Sequence, residues 1–271
     1  MDWSKSKSIF IIVFLILDIF LYSLYLNRYT EAQKVEVLGE KTIEARLKDD
    51  NITYAELPNI ETAPYLYGSV KHFTEEDLQI LNNNEVTIEN DTKIIVNLKD
   101  PIAIEDINNP SNYVEFLQTN IIDSPSYMLW DVDEVNQTVT FFQRTNNRTI
   151  YYNNHGMVKL YLNTGNEIFK YEQTLFIDLV ENEELEELWS PIQVIQLLYS
   201  KNLLKQDSSI TQVKLGYSTL VQYTQTQVLV PTWEIRVKTK NDKEEEYFVN
   251  AVEGKVIELQ LDQTKVEDDE E

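Results

Sequence analysis

Residues 138–180 read TVTFFQRTNNRTIYYNNHGMVKLYLNTGNEIFKYEQTLFIDLV. The stretch is rich in β-branched and aromatic residues, and from about Tyr127 the period of the chain becomes two. That is the pattern of strands with one covered face. Three breaks interrupt it, at Asn146-Asn147, Asn154-His155-Gly156 and Asn163-Thr164-Gly165-Asn166. Asn and Gly tolerate positive φ, so each break is a hairpin signal. An antiparallel meander follows from this reading.

Downstream, the acidic run Glu181–Glu187 leads into SPIQVIQLLYSKNLL. Ser190 is an N-cap, Pro191 takes the first helical position and Gln193 completes a capping box. Ile192, Ile195, Leu198 and Tyr199 form the expected buried face of that helix. Strands are expected near 210–222, 226–238, 245–251 and 255–261, with Glu253-Gly254 turning the last hairpin. The tail VEDDEE is a solvated charge run. Upstream, residues 30–50 are expected to form a helical stalk, with Ile43 and Leu47 four apart. A short helix starts at the Thr74 cap, with Asp77 three residues on, and another covers Ser111 to Gln118. Helix followed by antiparallel strands thus occurs twice, near 110–180 and near 182–262. The expected class is α+β, a β-rich ectodomain of antiparallel sheets with a few packed helices behind an N-terminal transmembrane helix. Two related sub-domains are assigned, 29–180 and 181–262, with 263–271 an acidic tail.

The N-terminal signal is Ser8 to Leu26, SIFIIVFLILDIFLYSLYL, nineteen residues with one charge. A helix of that length spans roughly 28 Å, close to the hydrocarbon thickness. Its Leu, Ile, Phe and Val residues contribute about -4 to -8 kcal/mol to insertion, against about +2.5 to +3.5 kcal/mol for Asp18. No small-residue cleavage pattern follows Leu26, so residues 8–26 are expected to be an uncleaved signal anchor. Lys5 and Lys7 precede it and put residues 1–7 in the cytoplasm by the positive-inside rule. The residues after 28 carry a net charge of -24 and are expected outside the membrane. Asp18, Tyr22, Tyr25 and Tyr29 share one stripe of the helix. Such a stripe fits a partner helix, where Asp18 accepts a hydrogen bond or sits protonated. The alternative is a snorkelling Asp18 beside ordinary interfacial tyrosines.

The whole chain has 271 residues, a net charge of -23, no cysteine and two histidines, His72 and His155. Length allows one or two domains. Phosphate backbones reward clustered lysine and arginine, so this charge argues against nucleic acid and against peripheral binding to anionic lipid. Absent cysteine removes disulfides, a thiol nucleophile and cysteine-ligated metal. There is no Gly-rich phosphate loop, no H-E-x-x-H and no G-x-S-x-G. His155 sits in a turn tripeptide and His72 precedes a helix cap. The carboxylate pairs Glu183-Glu184 and Glu186-Glu187 are expected by chance in a chain with 46 acids. Asp131-Val132-Asp133-Glu134 suggests calcium, but lacks the glycine and distal glutamate of an EF-hand loop. Four Asn-x-Thr sequons, at Asn51, Asn90, Asn136 and Asn147, arise easily in so Asn- and Thr-rich a chain. Trp130, Trp189 and Trp233 are assigned to the core or a domain seam. No catalytic, cofactor or metal residue is assigned.

Two segments together suggest a family. The opening MDWSKSKSIFIIVFLILDIFL, with Asp2-Trp3, Lys5, Lys7, an Ile-Phe pair and Asp18 late in the apolar run, resembles the N-terminus of the YycI (WalI) family. The far end resembles that family's final strands: PTWEIRVK from Pro231, with Trp233, then EEYFVNAVEGKVIEL to Leu259, with Tyr247-Phe248-Val249-Asn250-Ala251 and Gly254. The resemblance extends loosely over the whole chain. It implies a single-pass, non-enzymatic accessory protein of the WalK–WalR (YycG–YycF) two-component system for cell-wall homeostasis in Gram-positive bacteria. It also implies an extracytoplasmic domain related to parts of YycH, and association with a YycH-like membrane protein and the WalK-type sensor histidine kinase. Transmembrane helices take part in that kinase contact, which carries over to residues 8–26. Asp18, Tyr22 and Tyr25 are the expected contact residues, chosen from the stripe. The competing reading is an anchored extracytoplasmic binding module for a wall, lipid or protein ligand. An anchored hydrolase, dependent on single carboxylates, is the third.

Overall fold

The structure, a computed structural model, describes residues 11, 13–24, 41–81, 84–219, 225–259 and 261. The chain divides into two compact units, residues 1–47 and residues 48–271.

In the first unit residues 11 and 13–24 are helical (α1), and every described side chain on α1 is exposed. No helix among the described residues is long and apolar enough to cross a membrane. Residues 1–7, Tyr25, Tyr29 and most of the expected stalk lie outside the described residues, as does the acidic tail. The end of the stalk is helical as α2 (Ile43–Asp49). Thr42 starts it, its carbonyl accepting from the Arg46 amide at 3.0 Å.

The second unit is α+β, with two seven-stranded sheets. The strands in chain order are β1 (Thr53–Tyr54), β2 (Thr62–Val70), β3 (Glu85–Glu89), β4 (Lys93–Ala103), β5 (Tyr127–Asp133), β6 (Thr138–Thr145) and β7 (Arg148–Thr149). They continue as β8 (Met157–Leu162), β9 (Glu167–Gln173), β10 (Phe176–Glu187), β11 (Ser209–Ser218), β12 (Thr226–Lys238), β13 (Glu244–Asn250) and β14 (Lys255–Ile257). One sheet has the order β3-β4-β9-β8-β6-β5, with β7 on β6. The other has the order β1-β11-β12-β13-β14, and β2 joins β12 to β10.

The meander expected over residues 138–180 is present as antiparallel pairs β6·β8 and β8·β9. Two of its breaks use the expected residues at positive φ, Asn146 at 48°, Asn147 at 62° and Asn166 at 58°, whereas at the break expected over Asn154-His155-Gly156 the positive φ falls on Tyr152, at 47°. Strand β6 differs from simple alternation, since Thr138 to Gln143 are all buried. Val139 and Phe141 join the core under the helices, whereas Phe142 packs the opposite way, on Trp130. Both faces of β6 are therefore covered. A short 3-10 turn (Pro110–Tyr113) and the helix α4 (Val114–Asn120) stand where the helix 111–118 was expected. They lay Tyr113, Phe116 and Leu117 on the first sheet. Phe116 meets Tyr171 edge-on at 5.7 Å and Tyr113 meets Phe141 at 5.4 Å. Each such buried ring contributes about 1.5–3 kcal/mol. Their hydroxyls are satisfied, Tyr171 donating to the Asn120 carbonyl and Tyr113 to that of Ile107, both at 2.7 Å.

The two expected capping boxes are formed. The amide and hydroxyl of Thr74 donate to Asp77 ahead of α3 (Glu75–Leu78). Those of Ser190 donate to Gln193 ahead of α5 (Pro191–Ser200). The buried face of α5 is Pro191, Val194, Ile195 and Leu198: Ile195 and Leu198 are buried as expected, and Pro191 and Val194 take the places of Ile192 and Tyr199. These positions fall at offsets 0, 3, 4 and 7, which leaves Ile192 and Tyr199 on the flank. The run Glu181–Glu187, expected as a lead-in, continues strand β10 instead, paired to β2 through two register shifts. The sequence boundary at 180–181 thus falls inside one strand. The sheet that holds it also takes β1 and β2 from before residue 71.

At the last hairpin Gly254 has φ of 62°, and a Cβ there would lie 2.2 Å from the Trp189 ring. Both the left-handed backbone and the ring contact require glycine. Gly254→Ala is expected to cost about 2–4 kcal/mol, or roughly 5–15 °C in Tm. Thermal unfolding followed by circular dichroism measures it, and an unchanged Tm contradicts this packing.

Candidate functional site

Of the expected contact residues, Asp18 and Tyr22 lie four apart on α1, both exposed. Tyr25, Lys5 and Lys7 lie outside the described residues.

The second unit concentrates its buried polar chemistry in a seam between its two sheets. A backbone junction forms first. Ile150 bridges Tyr217 in parallel, and the Tyr151 amide donates to the Tyr217 carbonyl at 2.8 Å. This approach is possible because β11 carries Gly216 there, where a Cβ would lie 2.4 Å from the Tyr151 ring. Trp130 of β5, Tyr151 and Tyr152 then face Phe248 of β13, with ring centroids 5.1–6.5 Å apart, and Phe142 of β6 backs Trp130 and Tyr152, each at 5.2 Å. Tyr152 holds a left-handed φ of 47°, a conformation that costs a bulky residue about 1–3 kcal/mol.

Charge is threaded through these rings. Glu234 of β12 is 1 % exposed. It accepts from the Tyr151 hydroxyl at 3.1 Å and from Gln212 Nε2 at 3.0 Å, and pairs with the Arg236 guanidinium. Arg236 lies 4.7 Å over the Trp130 ring and reaches Glu246 of β13 at 3.2 Å. Glu246 accepts from the Tyr152 hydroxyl at 3.2 Å, and that oxygen accepts from Trp130 Nε1 at 3.3 Å. Burial pushes the Tyr152 phenol up to about 12. Burial also raises the Glu246 carboxyl, with Arg236 opposing and Glu234 adding to the rise.

Such an array joins two sheets, because each charge is met from both sides. Glu246 also lines an open cleft of about 430 Å³ with Asn202, Lys205, Lys243, Glu245 and Tyr247. Within it Glu245 is neutralised by Lys243 at 3.3 Å and Lys205 at 3.6 Å, and accepts from the Tyr247 hydroxyl at 2.8 Å. Those contacts hold its carboxyl below the usual range, the Tyr247 hydrogen bond foremost.

The other residues singled out from sequence have local roles. Asp133 accepts from the amides of Val135 and Asn136 at 3.0 and 2.9 Å, closing the β5–β6 turn. Glu134 accepts from Asn108, and Asp131 pairs with Thr140 in the ladder. No group of three or more His, Asp or Glu among the described residues is placed to hold a metal ion. His155 lies in its turn, where its amide donates to Asn153 Oδ1 at 2.9 Å. His72 is exposed. Trp130 is in the seam, and Trp233 is fully buried, its Nε1 donating to the Trp189 carbonyl at 2.8 Å. Sequence reasoning missed Glu234, Arg236 and Glu246. The signal was available in WEIRVK, where two opposite charges share one face of a strong strand.

A family model described as YycI protein matches residues 32–252. No curated protein matches the sequence. Among solved structures the chain is similar to an uncharacterized protein from Eubacterium rectale, at 10 % identity over 78 % of this chain and 92 % of that one, TM-score 0.43. It is also similar to the YpeB C-terminal domain of Bacillus megaterium, at 14 % identity over 70 % and 99 %, TM-score 0.43. A third is YycH from Bacillus subtilis, at 14 % identity over 70 % and 53 %, TM-score 0.41.

The seam gives a signed pH dependence. A carboxyl raised above its unfolded value of 4.5 costs stability while ionised, and the cost vanishes as the pH falls to that value. Relative to the parent chain, the stability of Glu246→Gln should therefore be greatest at neutral pH. The advantage should shrink as the pH drops toward 4.5. Tm measured at a series of pH values reads this directly, and a difference independent of pH contradicts the assignment.

Proposed function

The chain belongs to the YycI family, and from that premise we propose that it is a membrane-anchored, non-enzymatic regulator of a WalK-type sensor histidine kinase. In this reading residues 8–26 cross the membrane, residues 1–7 are cytoplasmic and the strand-rich part is extracytoplasmic, paired with a YycH-like membrane protein. The family match over residues 32–252 is the observation that carries the proposal.

Physical features of the first unit support the anchor. Helix α1 exposes Val13, Phe14, Leu15, Ile16, Leu17, Ile19, Phe20, Leu21 and Leu24 on every side. A helix apolar all round needs lipid or other helices about it, since water penalises each such side chain. Asp18 is the one charged residue among residues 13–24. In hydrocarbon its carboxyl needs a partner, and a hydrogen bond to a neighbouring helix supplies one. Regulation follows if that contact differs between the kinase and phosphatase states of the partner. About 3 kcal/mol of difference changes their ratio more than a hundredfold.

The open cleft beside the seam favours one other reading, an anchored module that binds a ligand there. In that case the anchor is interchangeable.

Asp18→Leu separates the two. An interhelical hydrogen bond of about 1–2 kcal/mol corresponds to roughly a five- to thirtyfold loss of kinase association. Expression of the kinase's target genes should change while protein levels stay normal. Unchanged output at equal protein level removes the membrane-helix mechanism.

A further inference from the structure

Strands β10, β2 and the start of β12 form a three-stranded ribbon with one packed face and one open face. Inward it presents Leu66, Val70, Phe176 and Leu229, all buried with Ile150 and Tyr217. Outward, Val180 and Val228 both stand directly opposite Tyr67. Residues opposite one another across a ladder share a face, so these three side chains make one apolar row. They are 59 %, 45 % and 41 % exposed respectively, and Ile177, opposite Ser69 on the same face, is 38 % exposed. Adjacent exposed apolar side chains that no described element covers suit a docking face.

Charge identifies the occupant. Strand β10 carries Asp178, Glu181, Glu183, Glu184, Glu186 and Glu187 and no basic residue, Glu181 standing opposite Leu66 in the row of the packed face. None of the six makes an ion pair among the described residues. A second copy of this chain would set the same six negative charges against these, and an anionic membrane would be repelled in the same way. A protein surface that offers apolar side chains to the row and lysine or arginine to β10 satisfies both features. The two register shifts in β10 and its acids guard the strand's outer edge, so the face is the docking element.

We propose that the outer face of the β10–β2–β12 ribbon, centred on Val180, Tyr67 and Val228, docks a basic, partly apolar segment of another protein. The inference goes beyond the regulatory reading, since it needs neither a kinase nor a membrane.

The test uses the full chain in neutral detergent and labelled octapeptides read by fluorescence anisotropy. The probes alternate lysine with valine, lysine with glycine, or glutamate with valine. The lysine–valine peptide should bind at least about tenfold more tightly than the lysine–glycine one, and the glutamate–valine peptide should not bind. The combined variant Tyr67→Ser, Val180→Thr, Val228→Thr should lose about tenfold or more, as should Glu183→Lys with Glu184→Lys. Val135→Thr, at the exposed β5–β6 turn, should bind like the parent. Circular dichroism and Tm confirm that each variant is folded. The proposal is overturned by absence of lysine–valine binding, by equal binding of the lysine–glycine peptide, or by indifference to the ribbon variants. It is also overturned if the triple variant abolishes self-association in sedimentation, or binding to zwitterionic vesicles, because a second copy or lipid then occupies the face.

Discussion

Glu234, a carboxylate almost wholly withdrawn from solvent, sits where the two sheets of the second unit meet. Burying a lone charge costs several kcal/mol even after relaxation, so its position is tenable only with partners in place. Those partners come from both sides of the seam: Tyr151 from the connection between β7 and β8, Gln212 and Arg236 from β11 and β12. Arg236 in turn stacks on Trp130 and reaches Glu246, which receives Tyr152. Removing one member strands the next, which makes the seam a single cooperative element. The left-handed Tyr152 and the obligatory Gly216 follow from the same constraint, since both let the tyrosine pair reach across.

Local structure was largely legible in the residues. Asn146-Asn147 and Asn166 turn the meander at positive φ, and Thr74–Asp77 and Ser190–Gln193 close their caps, because backbone chemistry at these points depends on near neighbours. What could not be read depended on distant ones. The acids 181–187 have poor strand propensity, yet they form β10 because β2 offers a ladder more than a hundred residues earlier in the chain. The buried face of α5 keeps the expected Ile195 and Leu198 but closes with Pro191 and Val194 in place of Ile192 and Tyr199. The seam was only half visible: Trp130 is assigned from sequence to the core or a domain seam, but Glu234 and Glu246 are lost among the 46 acids of the chain. Of the expected contact residues, Asp18 and Tyr22 lie four apart on α1, both exposed.

The two units differ in character. The strand-rich unit buries its rings and pairs its central charges, and its open surface is strongly acidic. Helix α1 has the opposite character, apolar on every side with Asp18 as its one charge. In the proposed function these are parts of one device, in which an extracytoplasmic body positions a helix whose single carboxyl seeks a partner within the membrane. The body supplies register and recognition, and the helix supplies the differential contact without which no kinase equilibrium can shift.

A mild-detergent pull-down from native membranes tests that central claim most directly. The full chain is compared with one whose residues 8–26 are replaced by an unrelated single-span helix, and co-purifying proteins are identified by mass spectrometry. The account predicts that a sensor histidine kinase and a YycH-like protein accompany the full chain, and that the kinase is lost with the foreign helix. Equal recovery of the kinase with both chains, or none with either, contradicts it.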